Sequence, residues 1–199
     1  MRGVLQPILA VLLGLGLGLG VTWFAGENPW NVLCVLAKGA FGSREDIGMT
    51  LFYATPLIFT GLAVALPLQA GLFNIGAEGQ LTMGALAAAA AGAVWPGLAW
   101  PVAPVVAALA ALLAGMAWGA IPGWLRVRRG SHEVINTIML NFIAAGLASY
   151  VALYLLKNPD SQNPETRPGG AGYLLGQWKF FAPAPVSAAL VLALVAALL

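Results

Sequence analysis

The sequence predicts an all-α, polytopic transmembrane helical bundle with about six spans. Three observations lead there. Of the 199 residues 60% are hydrophobic and only 8% charged, giving a mean hydropathy of +0.87, whereas a soluble domain carries about 25% charged residues. Apolar runs recur at lengths near the roughly 20 residues an α-helix needs to cross a bilayer. Turn and charge signals such as Trp95-Pro96-Gly97 and Arg126-Val127-Arg128-Arg129-Gly130 separate these runs. The net charge of +2 gives no reason to expect a nucleic acid partner. The single cysteine, Cys34, excludes an internal disulfide and reads as a small packing residue.

The first span covers about Val4–Phe24, after Arg2. It is longer than the roughly 7–15 residue core of a signal peptide, so it reads as a retained helix. Gly14, Gly16, Gly18 and Gly20 form two overlapping G-x-x-x-G pairs. Such pairs let helices approach closely, or they simply make a glycine-rich anchor. Residues 25–48 read as a loop with an interfacial helical patch at Val32–Ala37. The second span runs from Met49 to Ala70 and contains Pro56 and Pro67, each of which removes a helix hydrogen bond. Neighbouring helices accommodate that loss in a membrane.

The stretch Gly71-Leu72-Phe73-Asn74-Ile75-Gly76-Ala77-Glu78-Gly79-Gln80 is the most unusual in the chain. A carboxylate at the centre of a membrane helix costs about 2.5–3.5 kcal/mol. The segment therefore either turns at the membrane surface or breaks a helix inside the protein. The third span, to Val94, reaches bilayer length only if it starts near Asn74, a suitable N-cap, with Glu78 in its first turns. Glu78, Thr82, Ala85 and Ala89 would then share a face.

The fourth span covers about Trp100–Leu125 and ends in the cationic Arg126–Arg129 cluster. Ser131 is positioned to cap the fifth span, Glu133–Leu156. There Glu133, Thr137, Asn141, Ala145 and Ser149 fall every fourth residue and form a polar and small stripe, with Asn136 adjacent. Such a stripe faces protein or water; interhelical hydrogen bonding alone would also account for it. Residues 157–182 form a long polar loop, and a last apolar run begins near Pro183 and reaches Leu199. That run is short for a span, so 1–199 is expected to be one transmembrane domain truncated at its C-terminus. Clustered Arg126, Arg128 and Arg129 put the N-terminus and residues 126–133 on the cytoplasmic side, with 25–46 and 157–182 outside.

No G-x-x-x-x-G-K-[ST] loop occurs, so ATP binding through a P-loop is excluded for these residues. One histidine and no cysteine cluster give no metal site, and no cofactor is expected. Glu78 and Glu133 as a catalytic pair have no supporting motif.

Two stretches carry a family resemblance: Gly71–Gln80, and Ser131-His132-Glu133-Val134-Ile135-Asn136-Thr137-Ile138-Met139-Leu140-Asn141. With Thr55–Ala65 before them, they resemble the bacterial ABC-importer permeases of the branched-chain amino acid, ribose and simple-sugar group, nucleoside-type branch. The likeness covers about residues 45–150. It implies a bundle of about ten spans, of which this chain is the first half, in the bacterial inner membrane. It also implies a second permease subunit, a cytoplasmic ABC ATPase and an extracytoplasmic solute-binding protein as partners, besides membrane lipid. The solute would be a nucleoside or simple sugar.

A pathway of this kind needs polar groups that replace water weakly. Asn74, Gln80, Thr82, Thr137 and Asn141 are the expected lining. Glu78, Glu133 and Asn136 are expected to hold helices, and Arg126, Arg128 and Arg129 to face the ATPase. Two rivals remain at this level: a proton-coupled secondary transporter using Glu78 or Glu133, and a structural membrane subunit with no pathway.

Overall fold

The computed structural model describes residues 2–198. Its order is α1 (Arg2–Phe24), α2 (Pro29–Phe41), α3 (Arg44–Gln69), α4 (Ala77–Val94), α5 (Val102–Arg129), α6 (Glu133–Tyr150) and α7 (Ala189–Leu198). Extended pairing among the described residues is limited to two isolated antiparallel bridges, Lys157 with Thr166 and Gln177 with Ser187. The all-α class is as expected.

Among the described residues, four helices are long and apolar enough to cross a membrane: α1, α3, α5, and α6 with the π turn Val151–Leu155 that continues it. The other two expected spans are shorter. The third becomes the 18 residues of α4 and the sixth the 10 residues of α7.

Two compact units divide the chain. One runs up to Ala54 and takes in Gln177–Ser187; the other comprises Thr55–Gly176 and the residues from Ala188 on. In the first unit, the loop expected over 25–48 is largely helical. The Asn28 side chain accepts the amide of Trp30, and Pro29 opens α2 with a φ already suited to a helix. The Ser43 hydroxyl accepts the Asp46 amide at 3.1 Å and donates to its carboxylate at 2.6 Å. This reciprocal cap starts α3 at Arg44, five residues before the expected Met49. Gly48 lies against Ala184 and Phe181, and Val186 and Ala184 are buried. Among the described residues, no atom outside the neighbouring turns of α1 lies within 4 Å of where a side chain would stand on its paired glycines.

The second unit is built on α4. Ala77, Gly84 and Ala91, seven residues apart, are buried on it. The face shared by Glu78, Thr82, Ala85 and Ala89 is not this buried row: Glu78 and Ala85 are exposed. Small residues decide the packing. A Cβ on Gly84 would lie 3.2 Å from the Ala111 carbonyl, and one on Gly119 would lie 2.8 Å from Gln80 Nε2. Ala111, Gly115 and Gly119 thus form the small-residue stripe of α5 on which α4 rests, since packing in lipid relies on close backbone approach.

The segment after α6 covers the other end of α4. Tyr173 shares its one hydroxyl proton between the Ala91 and Trp95 carbonyls, 3.1 and 3.2 Å away, as a second donor to acceptors that the Trp95 and Leu98 amides already serve. Tyr173→Phe should therefore lower stability by about 0.5–1.5 kcal/mol in thermal unfolding of the detergent-solubilised protein. Tyr154→Phe, at a ring 72% exposed, should leave Tm unchanged. Equal Tm for both variants would show that the hydroxyl holds nothing.

Candidate functional site

The helix break lies at residues 70–76, and its geometry follows from finding partners for backbone groups that the two helix ends leave open. Gly71, at φ +73°, ends α3. The Leu72 amide bonds back to the Pro67 carbonyl at 2.9 Å and the Gly71 amide to the Leu68 carbonyl at 3.0 Å, the paired closure typical of a glycine in the left-handed region.

Asn74 does not cap α4 as expected. Its Oδ1 accepts the Gly76 amide at 3.0 Å, making a local turn that delays the helix to Ala77, with Gly76 at the N-cap and no side-chain cap there. The cap comes from another helix. Asn141 of α6 accepts the Gly79 amide at 2.9 Å through Oδ1 and donates Nδ2 to the Ile75 carbonyl at 3.0 Å. Gly79 allows this: a Cβ there would stand 2.8 Å from Asn141 Oδ1 and 3.1 Å from Trp118 Nε1. That indole nitrogen is buried beside Gly79 without a hydrogen-bond partner among the described residues.

At the same end, α5 runs through Arg129, so the cationic cluster is helical and only 130–132 is a turn. Gly130, at φ +62°, closes it with its amide on the Arg126 carbonyl. Ser131 is not the cap of α6; His132 holds that position, and the Ser131 hydroxyl accepts Asn136 Nδ2 at 2.6 Å. Arg126 pairs with Glu133 across the turn, while Arg128 and Arg129 are exposed in a last helical turn that favours positive charge.

These pieces border an open cavity of about 360 Å³ between the end of α3, the break, the end of α5 and the start of α6. Asn74, Gln80 and Thr137 line it, together with Arg126 and Glu133 and apolar groups that include Phe73 and Pro122. Thr137 is 3% exposed and donates its hydroxyl to the Glu133 carbonyl at 2.8 Å. Gln80 Oε1 lies 3.5 Å from Asn74 Nδ2. Thr82 and Asn141 are not in the lining. Thr82 donates to the Glu78 carbonyl within its own helix at 2.8 Å, and both functions of the Asn141 amide are spent on backbone. Glu78 also lies outside it, exposed in the first turn of α4. The stripe on α6 is packed only near its start: Thr137 is buried and Asn141 half-buried, whereas Ala145 and Ser149 are exposed. Among the described residues, no three His, Cys, Asp or Glu side chains gather as a metal group.

The sequence pattern of the family described as branched-chain amino acid transport system, permease component, matches residues 47–199. The chain belongs to this family. A guanosine ABC transporter permease protein of Bacillus subtilis is 41% identical over 148 residues, which is 74% of this chain and 42% of that protein. A glucose ABC transporter permease protein of Haloferax volcanii is 42% identical over 156 residues, 77% of this chain and 39% of that protein. A nucleoside ABC transporter permease protein of Lactococcus lactis subsp. cremoris is 37% identical over 155 residues, 75% and 41% of the two chains. The chain spans about two fifths of the length of these curated relatives. No solved structure matches it. With four spanning-length helices, this family member is a multi-pass integral membrane protein.

The packing at Gly79 gives a direct test. Gly79→Ala should push Asn141 away and cost about 1–3 kcal/mol in unfolding, an overpacking penalty. Gly146→Ala, where a Cβ meets open space, should be neutral or slightly stabilising. A Gly79→Ala protein as stable as the parent would mean that α4 and α6 do not meet this closely.

Proposed function

We propose that this chain forms part of the membrane-spanning permease subunit of an ATP-driven ABC importer, lining the pathway of a nucleoside or simple sugar in the plasma membrane. The observation that carries the reading is the family match over 47–199, joined to relatives named for guanosine, glucose and nucleosides. The cavity supplies a matching chemistry. Amide and hydroxyl groups of Asn74, Gln80 and Thr137 stand among apolar side chains, a mixture suited to a solute with a hydroxylated sugar and a flat or apolar face.

The division of labour follows. A cytoplasmic ABC ATPase supplies energy, an extracytoplasmic solute-binding protein supplies affinity, and a second permease subunit completes the pathway. Arg126, Arg128 and Arg129 are the basic end we assign to the ATPase side, and Glu78 and Asn136 serve as structural polar residues. On this orientation the cavity opens at the cytoplasmic end. Of the two carboxylates that the proton-coupled alternative would use, Glu78 stands outside the lining, and Glu133 lines the cavity paired with Arg126.

Uptake into vesicles holding the full-length protein with its ATPase, second permease subunit and binding protein tests the reading. Nucleoside or glucose uptake should require ATP and survive collapse of the proton gradient. Gln80→Leu should lower uptake by about tenfold, with the complex still assembled, because one polar contact to the solute is lost. Uptake that follows the proton gradient without ATP would replace this reading with the secondary transporter.

A further inference from the structure

Asn74 presents a polar side chain to the cavity, yet its amide is already engaged. Oδ1 accepts the Gly76 amide at 3.0 Å, and Nδ2 donates to the Ala63 carbonyl at 2.9 Å. Ala63 stands four residues before Pro67 in α3. In an unbroken α-helix the amide of residue 67 would bond that carbonyl, but proline has no amide hydrogen to give. α3 nevertheless continues through Pro67 to Gln69. The carbonyl left open in the helix wall is the one Asn74 reaches, eleven residues along the chain.

We propose that Asn74 is a positioning residue whose side-chain nitrogen stands in for the missing amide of Pro67. It thereby ties the 70–76 break to α3 and sets the cavity wall that carries Gln80. The inference rests on the permease reading above and changes Asn74's part in it, from a group that meets the solute to one that holds the wall. A hydrophobic residue at 74 would abandon two backbone groups at once, so substitution alone does not separate the two roles. Pro67 does. If Asn74 serves the Ala63 carbonyl, a residue with its own amide at position 67 removes the need for it.

The experiment uses the full-length complex in vesicles and reads turnover per assembled complex, KM for the solute and yield. Asn74→Asp keeps an oxygen for the Gly76 amide and loses the donor. It should lower turnover per complex by about tenfold with little change in KM, the size expected when a buried carbonyl loses its donor. The Pro67→Ala, Asn74→Asp double variant should recover to within about threefold of Pro67→Ala alone, a coupling that only interacting sites show. A double variant no better than the product of the single effects would overturn the proposal and leave Asn74 as a solute contact. A fall in yield alone, with turnover per complex unchanged, would overturn it in favour of a folding role. Should Asn74→Asp not assemble, Asn74→Ser replaces it: its hydroxyl keeps the local turn but is too short to reach Ala63. If the parental complex shows no ATP-dependent uptake, the permease reading itself fails, a result distinct from failed rescue.

Discussion

A break between two helices leaves backbone groups without their usual partners, and each one left open away from water costs several kcal/mol, of the order of an unmade hydrogen bond in an apolar solvent. The second unit of this chain depends on how that debt is met at residues 70–76. Two asparagines meet it. Asn74 serves one amide and one carbonyl from within the break, and Asn141 serves one amide and one carbonyl from α6. The amide side chain suits this task because it donates and accepts from the same planar group. A carboxylate only accepts, and a hydroxyl is too short to bridge two chain segments.

The rest of the site follows from that closure. Asn141 can reach Gly79 only if α4 and α6 approach without side chains between them, so Gly76 and Gly79 lie against α6. The same start of α4 must rest on α5, and Gly115 and Gly119 make room for Gln80. The side chains left facing the gap then include Gln80, Thr137 and the Arg126–Glu133 pair. The cavity is in this sense the space left after the backbone has been satisfied. Its polar lining comes from residues near the ends of four helical segments, where the chain has already departed from an apolar surface.

For the second unit, the arrangement also explains why polar residues that look alike in sequence have different fates. Thr82 and Thr137 both sit on helices and both donate to a carbonyl four residues earlier. Only Thr137 lines the cavity, because α6 turns that face toward the break. Thr82 lies on a face of α4 that the Gly84–Ala111 contact turns elsewhere.

The sequence by itself determined the class, the order of the long helices and the family. Composition and run length suffice for the first, because hydrocarbon tolerates few charges. Asn28–Pro29 and Ser43–Asp46 mark two helix starts through local hydrogen bonds, in a region whose sequence reads as loop. The break was legible from Gly71, Asn74 and Glu78, since no simple span would place them there. What only the tertiary structure decided was which partner each polar group takes. Asn74 and Ser131 both fit an N-cap by local pattern, yet one bonds an α3 carbonyl and the other accepts from Asn136. Asn141 falls on a repeating polar stripe, yet it caps a helix that begins 64 residues earlier in the chain. Local rules count the groups that need partners; the meeting of distant segments assigns them, because a hydrogen bond forms with whatever donor the packing brings within 3 Å.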